Sequence, residues 1–90
     1  MRGVHVVITG RVQGVSFRLW TQREVLSRGL AGWVRNRRDG TVEAVFSGED
    51  DAVAAMLETC WDGPDMALVS NVAVSDTAER PTGFEVRSTV

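Results

Sequence analysis

The sequence predicts an α+β fold: two helices on one face of an antiparallel sheet, in the order βαββαβ with a short terminal strand. Three observations carry this reading. The runs Val4–Thr9 and Thr41–Ser47 alternate with the period of two that marks a strand with one buried face. Val53, Met56, Leu57 and Cys60 recur at i, i+3, i+4 and i+7, which places them on one side of a helix. Breaks at Gly10–Gly14, Gly29, Asp39–Gly40 and Gly63–Pro64 separate the periodic runs.

The first strand sets Val4, Val6 and Ile8 on the apolar face and His5, Val7 and Thr9 on the other, so His5 is expected as a lone surface residue. A helix follows over about Phe17–Arg28. Phe17, Trp20, Thr21, Glu24 and Val25 share one side, while Leu19 and Leu26 lie nearly opposite. The helix therefore rests on its composition and on Gly29, suited to a left-handed C-terminal cap, more than on amphipathicity. Leu30–Asn36 reads as a second strand and Arg37–Arg38–Asp39–Gly40 as a hairpin turn, because Asp-Gly supplies the positive φ such turns need.

Thr41–Ser47 returns as its partner, with Val42, Ala44 and Phe46 on the buried face. Glu49, Asp50 and Asp51 open the second helix where its dipole favours negative charge. On that helix Cys60 is expected to pack as a small hydrophobe, neither nucleophile nor ligand. After Gly63–Pro64–Asp65, Ala67–Ser75 forms a further strand, Asp76–Thr82 a polar connection, and Phe84–Val86 a short last strand. No repeat or linker interrupts this order, which is the ferredoxin-like split βαβ arrangement in a single domain over residues 1–90.

Composition bounds what such a domain can do. Ninety residues supply one core, and 43% hydrophobic with 24% charged residues is ordinary globular content. The net charge of −2 and pI near 5.3 argue against holding nucleic acid by phosphate neutralisation, although the local cluster Arg35, Arg37 and Arg38 keeps that reading open. A single cysteine excludes an internal disulfide. Val4–Ile8 is too short for a signal segment, and no apolar run approaches the roughly 18 residues of a membrane span. A cytoplasmic monomer without a membrane or nucleic-acid partner is expected.

Chemistry concentrates in Gly10–Arg11–Val12–Gln13–Gly14–Val15–Ser16–Phe17–Arg18, a glycine-bearing loop between a strand and a helix N-terminus. Such a loop can turn consecutive N–H groups onto an anion, and an arginine fork can hold two phosphate oxygens together. The spacing is neither GxxxxGK[ST] nor GxGxxG, which disfavours nucleotide binding by those devices and leaves a small phosphate-like group. The same residues are equally compatible with a structural turn bearing a surface arginine. Asn36, in the second strand, reads locally as a residue capping the Asp39–Gly40 turn.

The two stretches together change this reading. The Gly10–Arg18 loop is followed eighteen residues after Arg18 by Asn36 within Gly32–Trp33–Val34–Arg35–Asn36, then by Asp39–Gly40–Thr41–Val42–Glu43. With Gly63–Pro64, Ala67, Val69 and Phe84–Glu85–Val86, this pattern resembles the acylphosphatases over nearly the whole chain. The resemblance implies hydrolysis of a carboxyl-phosphate mixed anhydride, a small-molecule acyl phosphate, to a carboxylate and inorganic phosphate. It assigns phosphoryl binding to Arg18, orientation of the attacking water to Asn36, and phosphate contacts to the backbone amides of Gln13, Gly14, Val15, Ser16 and Phe17. It implies no metal and no organic cofactor, and no His, Cys or acid cluster has ligand spacing.

The chemistry agrees from its own side. A carboxylate leaves without strong acid assistance, so positioning and charge stabilisation suffice. Ser16 is then expected to give an N–H and a replaceable side chain, with glycine there costing about 0.5–1 kcal/mol in stability. The alternatives are a non-catalytic anion-binding module on the same fold and, last, an RNA binder, which would need more aromatic strands than Phe46 provides.

Overall fold

The computed structural model describes residues 1–90. Its elements are β1 (Arg2–Arg11), α1 (Phe17–Ser27), β2 (Ala31–Asn36), β3 (Val42–Gly48), α2 (Asp50–Asp62), β4 (Leu68–Asp76) and β5 (Phe84–Arg87). The sheet order is β4-β1-β3-β2-β5. Each crossover helix thus leaves room for one strand of the other unit, β3 between β1 and β2, and β1 between β3 and β4.

The first four strands pair antiparallel, as expected, but β5 runs parallel to β2, with Gly32 opposite Phe84 and Arg35 opposite Arg87. Chain direction explains the exception. β4 ends beside Val4, at the end of the sheet where β2 begins, and the next residues cross that end. Thr77 N–H donates to the Gly3 carbonyl at 3.1 Å, and Gly32 N–H donates to the Gly83 carbonyl at 2.9 Å. A strand that enters there and pairs with β2 runs in the same direction as β2.

The helix-side core gathers Val4, Val6 and Ile8 of β1, Val34 of β2, and Val42, Ala44 and Phe46 of β3 against Phe17 and Val25 of α1 and Val53, Met56 and Cys60 of α2. Thr21 joins them because its hydroxyl donates to the Phe17 carbonyl at 2.8 Å, which removes the cost of burying it. Leu19 and Leu26 are exposed, as their position opposite this stripe requires. α1 ends in a Schellman motif: Leu30 N–H reaches the Val25 carbonyl, Gly29 N–H reaches that of Leu26, and Gly29 takes φ 69°. Cys60 is fully buried, and that burial pushes its thiol up to about 12. It packs as a hydrophobe.

The second face departs from expectation. β3 is buried on both sides, with Glu43, Val45 and Ser47 covered as well as Val42, Ala44 and Phe46. His5 is half-buried rather than a lone surface residue, and its Nε2 lies 2.6 Å from Glu43 Oε2. Long side chains provide the cover. The Trp33 indole N–H donates to Glu79 at 3.1 Å, and the guanidinium carbons of Arg35 and Arg87 stand 4.7 and 4.5 Å from its ring centroid. Arg35 Nε also donates to Glu43 at 2.7 Å. Burial alone would raise the Glu43 carboxyl; the Arg35 and His5 hydrogen bonds overcome it and hold the group below the usual glutamate value.

Candidate functional site

The site is built where β1 runs out. Its pairing with β4 slips between Thr9 and Gly10, and Gly10 there takes φ 129° against the Leu68 carbonyl, a place no side chain could occupy. The irregularity bends β1 into the loop. Gly14 (φ 72°) and Ser16 (φ 63°, ψ 29°) then both adopt left-handed backbone, and α1 starts from Ser16. Ser16 is the only non-glycine residue of the chain with positive φ. Glycine would therefore relieve strain at that position, which opposes the entropic cost expected for Ser16→Gly.

The loop leaves its backbone donors open. None of the N–H groups of Gln13, Gly14, Val15, Ser16 and Phe17 meets a protein acceptor, and the first backbone hydrogen bond of α1 is Trp20 N–H to the Ser16 carbonyl at 3.0 Å. Ser16 makes no side-chain cap bond, and the first turn contains no acid. It contains Arg18, a cation at the positive end of the helix dipole. One Arg18 N–H, from Nη1, donates to the Arg87 carbonyl of β5 at 3.1 Å. That contact fixes the guanidinium on a strand edge while its other donors stay available.

Asn36 arrives from the opposite direction as the last residue of β2. Its strand position is held on one side by pairing with Val42 and on the other by Val90, whose N–H donates to the Asn36 carbonyl at 3.1 Å. Beyond it the hairpin turns through Gly40 at φ 92°, with Asp39 Oδ1 accepting from the Thr41 N–H and hydroxyl at 3.0 and 2.6 Å. The Thr41 hydrogen bonds hold the Asp39 carboxyl below its usual range.

One cavity of about 570 Å³ joins the two stretches. It is lined by Gln13, Gly14, Ser16, Phe17 and Arg18 from the loop and helix, and by Asn36 from β2. Val15 is the exception among the expected residues: its side chain packs against the core, so only its backbone could take part. Leu19, Gln22 and Val86 also line the cavity, although the sequence reading did not single them out. Gln22 follows Arg18 at i+4, so a helical wheel would have placed it there. Val86 depends on the pairing of β5 with β2, which no local signal announced. The Gln13 side chain was missed as well: its Nε2 donates to the carbonyls of Arg37 and Thr41 at 2.7 and 2.9 Å.

No helix is long and apolar enough to cross a membrane. An open row of amides, a fixed arginine and an asparagine lining one cavity suit a phosphate-sized anion.

Comparison with known proteins gives this geometry a family. The acylphosphatase family model matches residues 4–86. An acylphosphatase of Azorhizobium caulinodans is 55% identical, over 97% of this chain and 96% of its own. The crystal structure of acylphosphatase from Bacillus subtilis superposes with a TM-score of 0.92 at 34% identity, covering 97% of this chain and 99% of that one. An acylphosphatase structure from Coxiella burnetii gives a TM-score of 0.92 at 39% identity, with 96% and 92% covered. The chain belongs to the acylphosphatase family.

Proposed function

We propose that this enzyme hydrolyses acyl phosphates by direct attack of a water held by Asn36 on a phosphoryl group held by Arg18 and the N–H groups of Gln13–Phe17. The water oxygen forms a bond to phosphorus, and the bond from phosphorus to the acyl oxygen breaks. The carboxylate leaves with that electron pair, and a water proton passes to a phosphoryl oxygen of the substrate. Asn36 can accept from the water and donate to an oxygen but cannot remove a proton. Arg18 and the amides stabilise charge on the transferring group without moving, as electrostatic catalysis requires.

One observation carries the proposal. Arg18 and Asn36, from separate elements, line the same cavity as a loop whose N–H groups have no protein acceptor. Since the leaving group is already good, the reaction needs neither a metal nor a strong general acid, and the enzyme is proposed to work without a cofactor. With a net charge of −2, and with Arg35 and Arg87 stacked on Trp33, nucleic acid is not proposed as a partner. We take the working form to be a cytoplasmic monomer.

The test is release of inorganic phosphate from an aryl acyl phosphate, with and without a strong chelator. Turnover unchanged by the chelator is expected. Binding without turnover would make this a non-catalytic anion-binding module, and turnover abolished by the chelator would require a metal that the proposed mechanism does not use.

A further inference from the structure

Gln13 carries a side chain whose work is unexplained by its place in the phosphate loop. Its Nε2 stands 2.7 Å from the Arg37 carbonyl and 2.9 Å from the Thr41 carbonyl, the two ends of the β2–β3 hairpin. Both neighbours are acceptors, so the amino end of the carboxamide must face them, and each of its hydrogens has one partner. The hairpin does not need these bonds to close. The Arg37 carbonyl already accepts from Gly40 N–H at 3.1 Å, and the Thr41 carbonyl already accepts from Arg37 N–H at 2.9 Å. Gln13 occupies the second lone pair of each oxygen. Its bonds therefore join the hairpin to the loop, and they do so at the residue that directly follows Asn36.

We infer that Gln13 is a positioning residue, whose carboxamide fixes Asn36 relative to the phosphoryl group held by its own loop. This inference rests on the proposed role of Asn36. The Gln13 backbone belongs to the anion cradle while its side chain sets the distance to the opposite wall. A single residue thereby ties the water-holding strand to the phosphate-holding loop across 23 positions of sequence, from Gln13 to Asn36. Loss of the tie leaves both walls formed but lets their separation vary. Reactions that depend on near-attack geometry lose up to about a hundredfold for displacements near 1 Å.

The test is a double-mutant cycle of Gln13→Met and Asn36→Ala, with kcat, the inhibition constant of inorganic phosphate, and Tm measured for each protein. Methionine keeps the length and the backbone N–H and removes both donors. Gln13→Met should lower kcat by about ten- to a hundredfold with phosphate inhibition unchanged. In the Asn36→Ala background it should lower kcat no further. Loss of kcat in Asn36→Ala but not in Gln13→Met, even with a lower Tm, would overturn the inference and reduce Gln13 to a structural tie. Additive losses would overturn it too, by showing that Gln13 acts elsewhere. Full activity in Asn36→Ala would remove the proposed role of Asn36 itself, and the inference with it.

Gln13→Glu keeps the test decisive if the methionine variant does not fold. The protonated acid can donate to one carbonyl, whereas the carboxylate can donate to neither and repels both. Its kcat relative to wild type should fall as pH rises through the titration of the new carboxyl. Arg11, Arg18, Arg37, Arg38 and Asp39 on the loop and hairpin are common to both proteins, so what they contribute directly to kcat is removed by the ratio. A kcat ratio independent of pH would contradict the inference.

Discussion

The two helices begin in opposite ways. α2 opens after Glu49 with Asp50 and Asp51 in its first turn, so its exposed N–H groups face negative charge supplied by the chain itself. α1 opens from a left-handed Ser16 with no side-chain cap, no acid, and Arg18 in the first turn. By the rules of helix stability its start is poor in every respect: strain at Ser16, unpaired amides before it, and a cation beside a positive dipole. The second start stabilises the fold. The start of α1 leaves its favourable partner to come from outside, and the phosphoryl group of the proposed substrate would supply the negative charge and acceptor oxygens that the chain withholds.

Removing the cation from α1 should have the largest effect. Arg18→Ala is expected to lower turnover by at least about 10²–10³-fold, the usual consequence of losing one preorganised donor to the reacting group. Arg18→Lys should recover little, because an ammonium cannot present two parallel donors or reproduce the bond to the Arg87 carbonyl in the same geometry. Steady-state hydrolysis of an aryl acyl phosphate reads both variants, and near wild-type activity in the lysine variant would exclude a bidentate contact.

Removing the acids from α2 should act on stability alone. Asp50→Asn and Asp51→Asn are each expected to cost about 0.3–1 kcal/mol at low ionic strength, with kcat unchanged. Urea denaturation at two salt concentrations measures this, and a change in turnover would mean that the two helix starts are not independent.

The smallest change should fall at Ser16. Ser16→Gly is expected to leave the protein as stable as before or up to about 1 kcal/mol more stable, since relief of the left-handed strain opposes the entropy glycine adds to the unfolded chain. Turnover should stay within a few-fold of wild type. A clear loss of stability on urea denaturation would show that the Ser16 hydroxyl does more than the structure suggests.

What the sequence made legible follows from the range of the forces involved. The alternation in Val4–Ile8, the turn at Asp39–Gly40 and the cap at Gly29 are set by neighbours a few residues apart, and each lies where the pattern put it. Arg18 and Asn36 became a pair through the joint motif, since neither alone outweighed a structural reading. Three features stayed hidden because distant chain segments create them. The parallel pairing of β5 is fixed by where β4 ends, the burial of Glu43 and Trp33 by Glu79, Arg35 and Arg87, and the second role of Gln13 by a hairpin 24 residues away. The left-handed backbone of Ser16 was hidden for another reason. Serine carries no positive-φ signature, and the loop's geometry imposes that conformation on it.

The proposed mechanism divides the labour: the start of α1 and Arg18 hold phosphate, while Asn36 acts on water. The most direct measurement is the inhibition constant of inorganic phosphate beside kcat in wild type, Arg18→Ala and Asn36→Ala. Weakened phosphate inhibition with lost turnover is predicted for Arg18→Ala. For Asn36→Ala, turnover should fall while phosphate inhibition stays at the wild-type value. Equal loss of phosphate affinity and turnover in Asn36→Ala, or undiminished phosphate affinity in Arg18→Ala, would rule out this division of labour.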